Sequence, residues 1–270
     1  MPRTTQPIRV LTLNVRTARA DPISLPDQTW HARLPRIVAL IEEQAPDLLA
    51  TQELRGDQRA ELQAALPHYQ SFGRGRRADG RGEEVALFLR SGRVRQVSGG
   101  TFWLSEEPDE PGSVGWDARF PRICTWAQVE VDAARRAVVL NVHLDHEGSV
   151  ARAQGVALVM AKIRALAPDS PLVLTGDFNA GPGSQPVELA RAQLVDTLLE
   201  ANPEDAATGT FHDYGPGVGP RIDFIFASKH FDVLGADIVR TGPDAAGRYA
   251  SDHHGVCATL AWEEGLAEGA

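Results

Sequence analysis

Pro171-Leu172-Val173-Leu174-Thr175-Gly176-Asp177-Phe178-Asn179 is the stretch on which the reading of this chain turns. Its first half is a short apolar run, the signature of a strand buried on both faces. That run passes without a spacer into a glycine, a carboxylate and an amide. The same grammar recurs outward in both directions. Ile8 to Asn14 is an apolar strand ending in an amide, Asp47 to Glu53 ends in a carboxylate, and Asn141-Val142-His143-Leu144 carries an imidazole. Ile222 to Ala227 begins beside Asp223, and Asp252 lies just before the run Gly255 to Trp262. A single Asn or Asp after a strand is ordinarily a turn former, and Glu53 also suits a helix cap. Seven such residues at strand edges are expected to meet in the crevice outside the strand ends, where open α/β folds bind ligands.

Between these strands, Trp30, Leu34, Ile37, Val38 and Ile41 recur at helical spacing and predict an amphipathic helix ending before Pro46. The loop before it runs through Pro22 and Pro26. Val150 to Leu166 and Pro186 to Ala192 read as further helices. Glu84 to Leu104 and Ile123 to Leu144 are β-rich, with turn signals at Ser91-Gly92 and at Ala133 to Arg136, and each is expected to form an antiparallel hairpin. With no repeats and only short turn-rich stretches, residues 1–270 are expected to form one α/β domain of sheets covered by helices.

The 270 residues are 43% hydrophobic and 23% charged, enough to bury a large core without covalent staples. Cys124 and Cys257 sit in apolar runs and are read as small buried side chains of a reducing compartment. The start, Met1 to Gln6, is short and polar, and no apolar run approaches the roughly 18 to 20 residues of a membrane span. A cytoplasmic monomer is the expectation. A net charge of −9 and a pI near 5.4 offer no overall attraction to a polyanion, which argues against a binder of long duplex DNA. Arg74, Arg76, Arg77 and Arg81 cluster between glycines, and read either as a local anion site or as a solvated loop.

Phosphate esters resist attack because they are already negative and the transition state must spread more charge. A hard cation such as Mg²⁺, or Mn²⁺ in its place, answers this, and it prefers carboxylate, amide and water oxygens. Glu53, Asp177, Asn179 and Asp252 are suitable donors, and no Cys/His set has zinc spacing. Hydrolysis also needs a base working near neutral pH. His253, with Asp223 as its orienting carboxylate, meets that need, although a metal-shell or structural histidine fits the same position.

In order along the chain, Leu11-Thr12-Leu13-Asn14, Thr51-Gln52-Glu53, Asn141-Val142-His143-Leu144, Gly176-Asp177-Phe178-Asn179, Arg221-Ile222-Asp223-Phe224 and Ser251-Asp252-His253 resemble the endonuclease/exonuclease/phosphatase family over nearly the whole length. The resemblance implies a four-layer α/β sandwich: two packed, mainly antiparallel or mixed sheets with helices outside, as in the DNase I-like fold. It implies a metal held by Glu53 directly, with Asn14, Asp252 and Asp177. Asp177 and Asn179 would orient the attacking water and the leaving side. His253, oriented by Asp223, would be the base or a phosphate-binding imidazole, and His143 would bond a non-bridging phosphate oxygen. Gly82-Glu83, Thr101-Phe102-Trp103-Leu104-Ser105, Gly115-Trp116-Asp117, Pro121-Arg122-Ile123-Cys124-Thr125-Trp126, His143-Leu144-Asp145-His146 and Gly209-Thr210-Phe211-His212 are similar to a small bacterial, deadenylase-like subgroup. By that likeness Glu83, Arg122 and His146 lie near the substrate, with Arg122 a phosphate ligand. Trp103, Trp116 and Trp126 read as core or as a stacking wall.

One departure is informative: where many nucleases of the family carry a second acidic ligand after the first Asn, this chain has Val15 and Arg16. A single metal is the simpler expectation, with Asp21 a substitute only if its loop folds back. The function expected is metal-dependent hydrolysis of a phosphodiester or phosphomonoester in a nucleotide, short nucleic acid or small phosphorylated molecule. The alternatives are a phosphate-binding scaffold that kept the fold, and a metal-dependent hydrolase of other esters.

Overall fold

The computed structural model describes residues 6–21, 24–133, 135–215 and 219–263. The expected polar start before Gln6, Pro22 of the first loop and residue 134 of the second turn lie outside them. In chain order the strands are β1 (Ile8–Asn14), β2 (Leu48–Arg55), β3 (Tyr69–Phe72), β4 (Glu83–Arg90), β5 (Val94–Trp103), β6 (Ile123–Val131), β7 (Arg135–His143), β8 (Leu172–Asp177), β9 (Val195–Asp196), β10 (Asp223–Ala227), β11 (Phe231–Val239) and β12 (Gly255–Trp262). The helices are α1 (Trp30–Gln44), α2 (Gly56–Ala65), α3 (Ser149–Leu166), α4 (Gln185–Arg191) and α5 (Thr197–Ala201).

Two mixed six-stranded sheets result, ordered β11-β12-β1-β2-β4-β3 and β5-β6-β7-β8-β10-β9. The pairs β1–β2 and β7–β8 are parallel and the remaining pairs antiparallel. The apolar side chains divide into three layers. Val10, Leu87, Val129, Val139, Val173 and Leu260 fill the space between the sheets. Ile37, Ile41 and Leu62, from α1 and α2, cover the outer face of the first sheet against Leu11, Leu49 and Phe88. Val156, Val159 and Val187, from α3 and α4, cover the second against Leu140, Leu174 and Phe224. Strands buried on both faces are mostly apolar, which is why β1 and β8 read as near-continuous apolar runs. This is the expected sandwich of two sheets flanked by helices. Cys124 and Cys257 are buried and unbridged, as read from their surroundings. Among the described residues no helix is long and apolar enough to cross a membrane.

One expectation is overturned. β6 and β7 do form a hairpin, but β4 and β5 do not pair with each other. The turn after Arg90, with Gly92 at φ 81°, carries the chain from one sheet to the other. A tight turn between two apolar strands fits a sandwich corner as well as a hairpin, because alternation specifies which face is buried and not which strand is the neighbour. Asp21 also finds a different use. Its carboxylate accepts a hydrogen bond from the Trp30 backbone N–H at 2.7 Å and lies 3.7 Å from Arg33, so the loop folds back onto the start of α1.

Candidate active site

Strand register does most of the assembly. His143 on β7 is paired with Asp177 on β8, and Asp177 with Asp223 on β10, so imidazole and two carboxylates stand side by side at one edge of the second sheet. Gly176 makes this possible: at φ 140°, a Cβ there would stand 2.0 Å from the Val142 carbonyl oxygen. In the first sheet Asn14 is opposite Gln52. Gln52 points between the sheets, donating to Asn141 Oδ1 at 2.7 Å and Thr12 Oγ1 at 3.0 Å, and Asn141 donates to the carbonyls of Thr51 and Ala86, both at 2.9 Å. In a regular strand the next residue would face the opposite way. Instead, Glu53 adopts φ 65° where the pairing of β2 with β4 slips between Thr51 and Leu54. This bulge brings Glu53 to the same mouth; left-handed backbone at a non-glycine is strain of the kind found at functional sites.

The side chains then meet. Asn14 donates through one Nδ2 to Glu53 Oε1 and Asp177 Oδ2, each at 3.1 Å, while its own Oδ1 accepts from the Arg16 backbone at 3.0 Å. The Thr17 N–H holds Glu53 Oε2 at 2.9 Å. Asp252 lies 3.4 Å from the Arg16 guanidinium, which packs over Tyr214. His253 is buried, with Nδ1 2.9 Å from Asp223 Oδ2 and Nε2 3.9 Å from Asp177 Oδ2. Asn179, left-handed at φ 46°, donates to the Leu144 carbonyl at 2.9 Å and through its backbone to Asp177 Oδ1 at 2.8 Å. His143 Nε2 is 3.6 Å from Asp177 Oδ2.

Electrostatics differ among the histidines. Burial alone would lower the His253 pKa, but the carboxylates of Asp223, Asp177 and Asp252 outweigh it and hold the imidazole protonated well above the usual range. Burial and the adjacent Asp223 charge raise Asp177. His143 moves the other way: burial, then the cationic Arg122 and Arg76, push it far down and keep it neutral.

These groups line a cavity of about 330 Å³, together with Arg76, Glu83, Phe120, Arg122, His146, Phe211 and Ile222. Of the residues singled out from sequence, Glu53, Glu83, Arg122, His143, His146, Asp177, Asn179, Asp252 and His253 reach the cavity wall, while Asn14 and Asp223 stand directly behind it. The tryptophans do not line it. Trp103 is buried and donates its indole N–H to the Arg76 carbonyl at 2.7 Å, and the aromatic wall is made by Phe120 and Phe211. Arg76, Phe120, Phe211 and the Arg16–Tyr214 pair were not anticipated. Arg76 gave a signal as one of four arginines among glycines, and Phe211 as part of the Gly209 to His212 motif, but neither was assigned to the cavity. Of the arginines, Arg77 and Arg81 are exposed and face Asp79, whereas Arg76 is tucked in beside Glu83 at 2.8 Å.

A metal's fit can be judged from the donors. Glu53, Asp177 and Asp252 bring three carboxylates to one opening. Their oxygens are compensated by the Asn14 amide, the Arg16 guanidinium and the protonated His253, and Asp252 is raised by burial and by Glu53 despite His253 and Arg16. Hard oxygen donors in excess of local positive charge suit a hard divalent cation. A tighter cluster exists: ligand atoms of Asp177, Asp223 and His253 lie within 4.8 Å of one another. Asp223 is fully buried, however, and its Oδ2 already holds His253 Nδ1, so this cluster is the seat of an imidazole. The Glu53 side of the opening fits an ion better.

Comparison with known proteins bears on the family and the fold. The sequence profile of the Endonuclease/Exonuclease/phosphatase family matches residues 11–253. An endonuclease/exonuclease/phosphatase from Bacteroides vulgatus is 32% identical with a TM-score of 0.86, covering 95% of this chain and 99% of its own. A mannosyl-6-phosphatase from Bacteroides thetaiotaomicron is 32% identical with a TM-score of 0.84, covering 94% and 100%. The catalytic domain of human Nocturnin, 20% identical with a TM-score of 0.74 over 96% of this chain and 94% of its own, shares the fold. No curated protein matches the chain in sequence.

Proposed function

The chain belongs to the endonuclease/exonuclease/phosphatase family, and from that premise we propose that it is a single catalytic domain hydrolysing a phosphate ester with the help of one divalent cation, Mg²⁺ or Mn²⁺. The observation that carries this reading is the meeting, at one cavity, of Glu53, Asp177 and Asp252 with a carboxylate-held His253. A scaffold that had lost turnover would have no need to keep this set, nor the strained backbone that aims Glu53. The mannosyl-6-phosphatase relative supports a small phosphorylated molecule as substrate, and nucleotides or short nucleic acids fit the same chemistry.

Glu53 and Asp252 would hold the cation, with Asp177 beside them and Asn14 keeping Glu53 and Asp177 in place through its amide. Bound there, a cation would neutralise phosphate charge and make water easier to deprotonate. Asp177 and Asn179 would orient the attacking water opposite the leaving oxygen. A bond forms from water oxygen to phosphorus as the ester P–O bond breaks, and the water proton passes to the Asp177 carboxylate, His253 already carrying its proton. His143 and His253 donate to the phosphoryl oxygens as their charge grows. The leaving oxygen takes up a proton from solvent at the open mouth and departs as an alcohol, and Asp177 returns the proton it took to solvent.

The test is hydrolysis of p-nitrophenyl phosphate, bis(p-nitrophenyl) phosphate, sugar phosphates, nucleotides and short RNA and DNA with added Mg²⁺ or Mn²⁺. Turnover on at least one is expected, abolished by EDTA and by Glu53→Ala, with calorimetry showing the loss of metal binding in that variant. Turnover unchanged by both treatments would refute the metal assignment. Activity on none, in a folded protein, would favour the scaffold.

A further inference from the structure

The geometry points to Arg76 and Arg122 as a paired guanidinium clasp that selects the doubly charged terminal phosphoryl group of a phosphomonoester over a diester; this rests on the phosphoesterase reading. The two guanidiniums line the wall of the cavity that also contains His143, with Glu53 and Asp252 among the other lining residues. Each is fixed by one carboxylate, Arg76 by Glu83, itself on the cavity wall, at 2.8 Å and Arg122 from behind by Asp145 at 3.2 Å. Asp145 is itself held by the N–H groups of Glu147 and Gly148 at 3.0 and 2.8 Å, so Arg122 cannot swing away with its partner.

Arg122 is only 5% exposed, and its Nη2 meets His146 Nδ1 at 3.0 Å, yet its Nη1 is buried with no partner. A buried donor left without an acceptor is a standing cost that an arriving phosphoryl oxygen would remove. Phe120 lies against Arg76, with the guanidinium 5.1 Å from the ring centroid, and its ring stacks on His146.

The consequence for the ligand follows from oxygen counting. A monoester offers three terminal oxygens sharing two negative charges, enough to meet a cation on one side and two planar donor forks on the other. A diester has two such oxygens and one charge, and its second ester oxygen carries a carbon. Turned towards the arginines, that carbon would leave their N–H groups unpaired. Turned towards the mouth, it would meet Phe120.

Matched aryl esters decide the point. With Mg²⁺ or Mn²⁺ present, the protein should hydrolyse p-nitrophenyl phosphate with a higher kcat/KM than methyl p-nitrophenyl phosphate. Arg76→Gln should lower the monoester value about 100-fold and the diester value by less than about tenfold, as loss of a charge-assisted fork requires. Arg76→Lys, which keeps the charge and loses the fork, should recover part of the difference. Inorganic phosphate should inhibit the unaltered protein competitively, a measurement independent of how well any variant folds. A monoester-to-diester ratio that Arg76→Gln leaves unchanged, a preference for the diester, or no inhibition by inorganic phosphate would each overturn the clasp while leaving the phosphoesterase reading intact. Turnover of neither ester, nor of any other phosphate ester, would bring down both.

Discussion

The two walls of the cavity are built on different plans. The carboxylate wall stands mainly on strands: Asp177 and Asp223 are lateral neighbours by register, Asn14 ends β1, Glu53 is turned in by a bulge in β2, and Asp252 comes from the segment just before β12. The guanidinium wall stands on connections. Arg76 belongs to the loop before β4, and Arg122 lies just before β6 at the end of the long excursion from β5. The first wall is placed by backbone hydrogen bonding, which tolerates little variation. The second is placed by side-chain ion pairs, which can be re-aimed by a few substitutions. Chemistry common to a family would be expected on the first and substrate choice on the second.

Three substitutions would break or sharpen this contrast. The largest effect belongs to the carboxylate side: His253→Ala removes the imidazole that Asp223 orients, and kcat should fall about 10²- to 10⁴-fold for every substrate, with a fall in melting temperature as well because Asp223 is left as a buried carboxylate without its partner. Stopped assays on a monoester and a diester would show it, and a loss confined to one of them would contradict the division. Next, Asp145→Asn should cost stability, about 3 kcal/mol, because Arg122 is left as a buried charge without its partner. There is a pH counterpart. Burial works against the Asp145 charge, but the N–H groups of Gly148 and Glu147 and the Arg122 cation outweigh it and hold the carboxyl well below its ordinary range. Its folded pKa being depressed, its contribution is complete above the unfolded value of roughly 4 and is lost as pH falls through the folded one. The Asn variant should therefore show a shallower decline in melting temperature below about pH 4; an equal slope would remove Asp145 from the acid response. The smallest effect is at the mouth. Phe120→Ala should raise KM by about fivefold with kcat nearly constant, the size expected for one lost stacking contact.

How far the sequence discloses each wall follows from the same contrast. Asp177, Asn14, Asp223 and His143 could be read because an apolar run ending in a polar residue marks a strand edge, and strand edges in a sandwich converge. Glu53 could be read in type, while the slipped pairing that turns it inward has no local signature in Thr51-Gln52-Glu53. Arg76 was one of four similar arginines, and what buries it comes from distant parts of the sequence: Trp103 bonding its carbonyl and Phe120 covering its guanidinium. The corner between β4 and β5 failed for a related reason, since pairing partners are chosen by the assembled core. The exposed stretch of β5, from Arg95 to Gly99, is polar enough to have been the warning of a sheet edge. Likewise β11, at the edge of the first sheet, alternates buried and exposed residues across a bulge at Val233 to Gly235 and carries no unbroken apolar run.

The Gln52–Asn141 bridge below the cavity has a mechanical side. Sandwiches packed through smooth aliphatic layers can slip relative to one another, since dispersion contacts are nearly isotropic. Here two amides crossing from one sheet to the other, each committed to backbone or side-chain partners, act as a dowel through both layers. With shear blocked at that depth, the gap spanned by a phosphoryl group keeps a constant width, and any adjustment to substrates of different size must come from the rim.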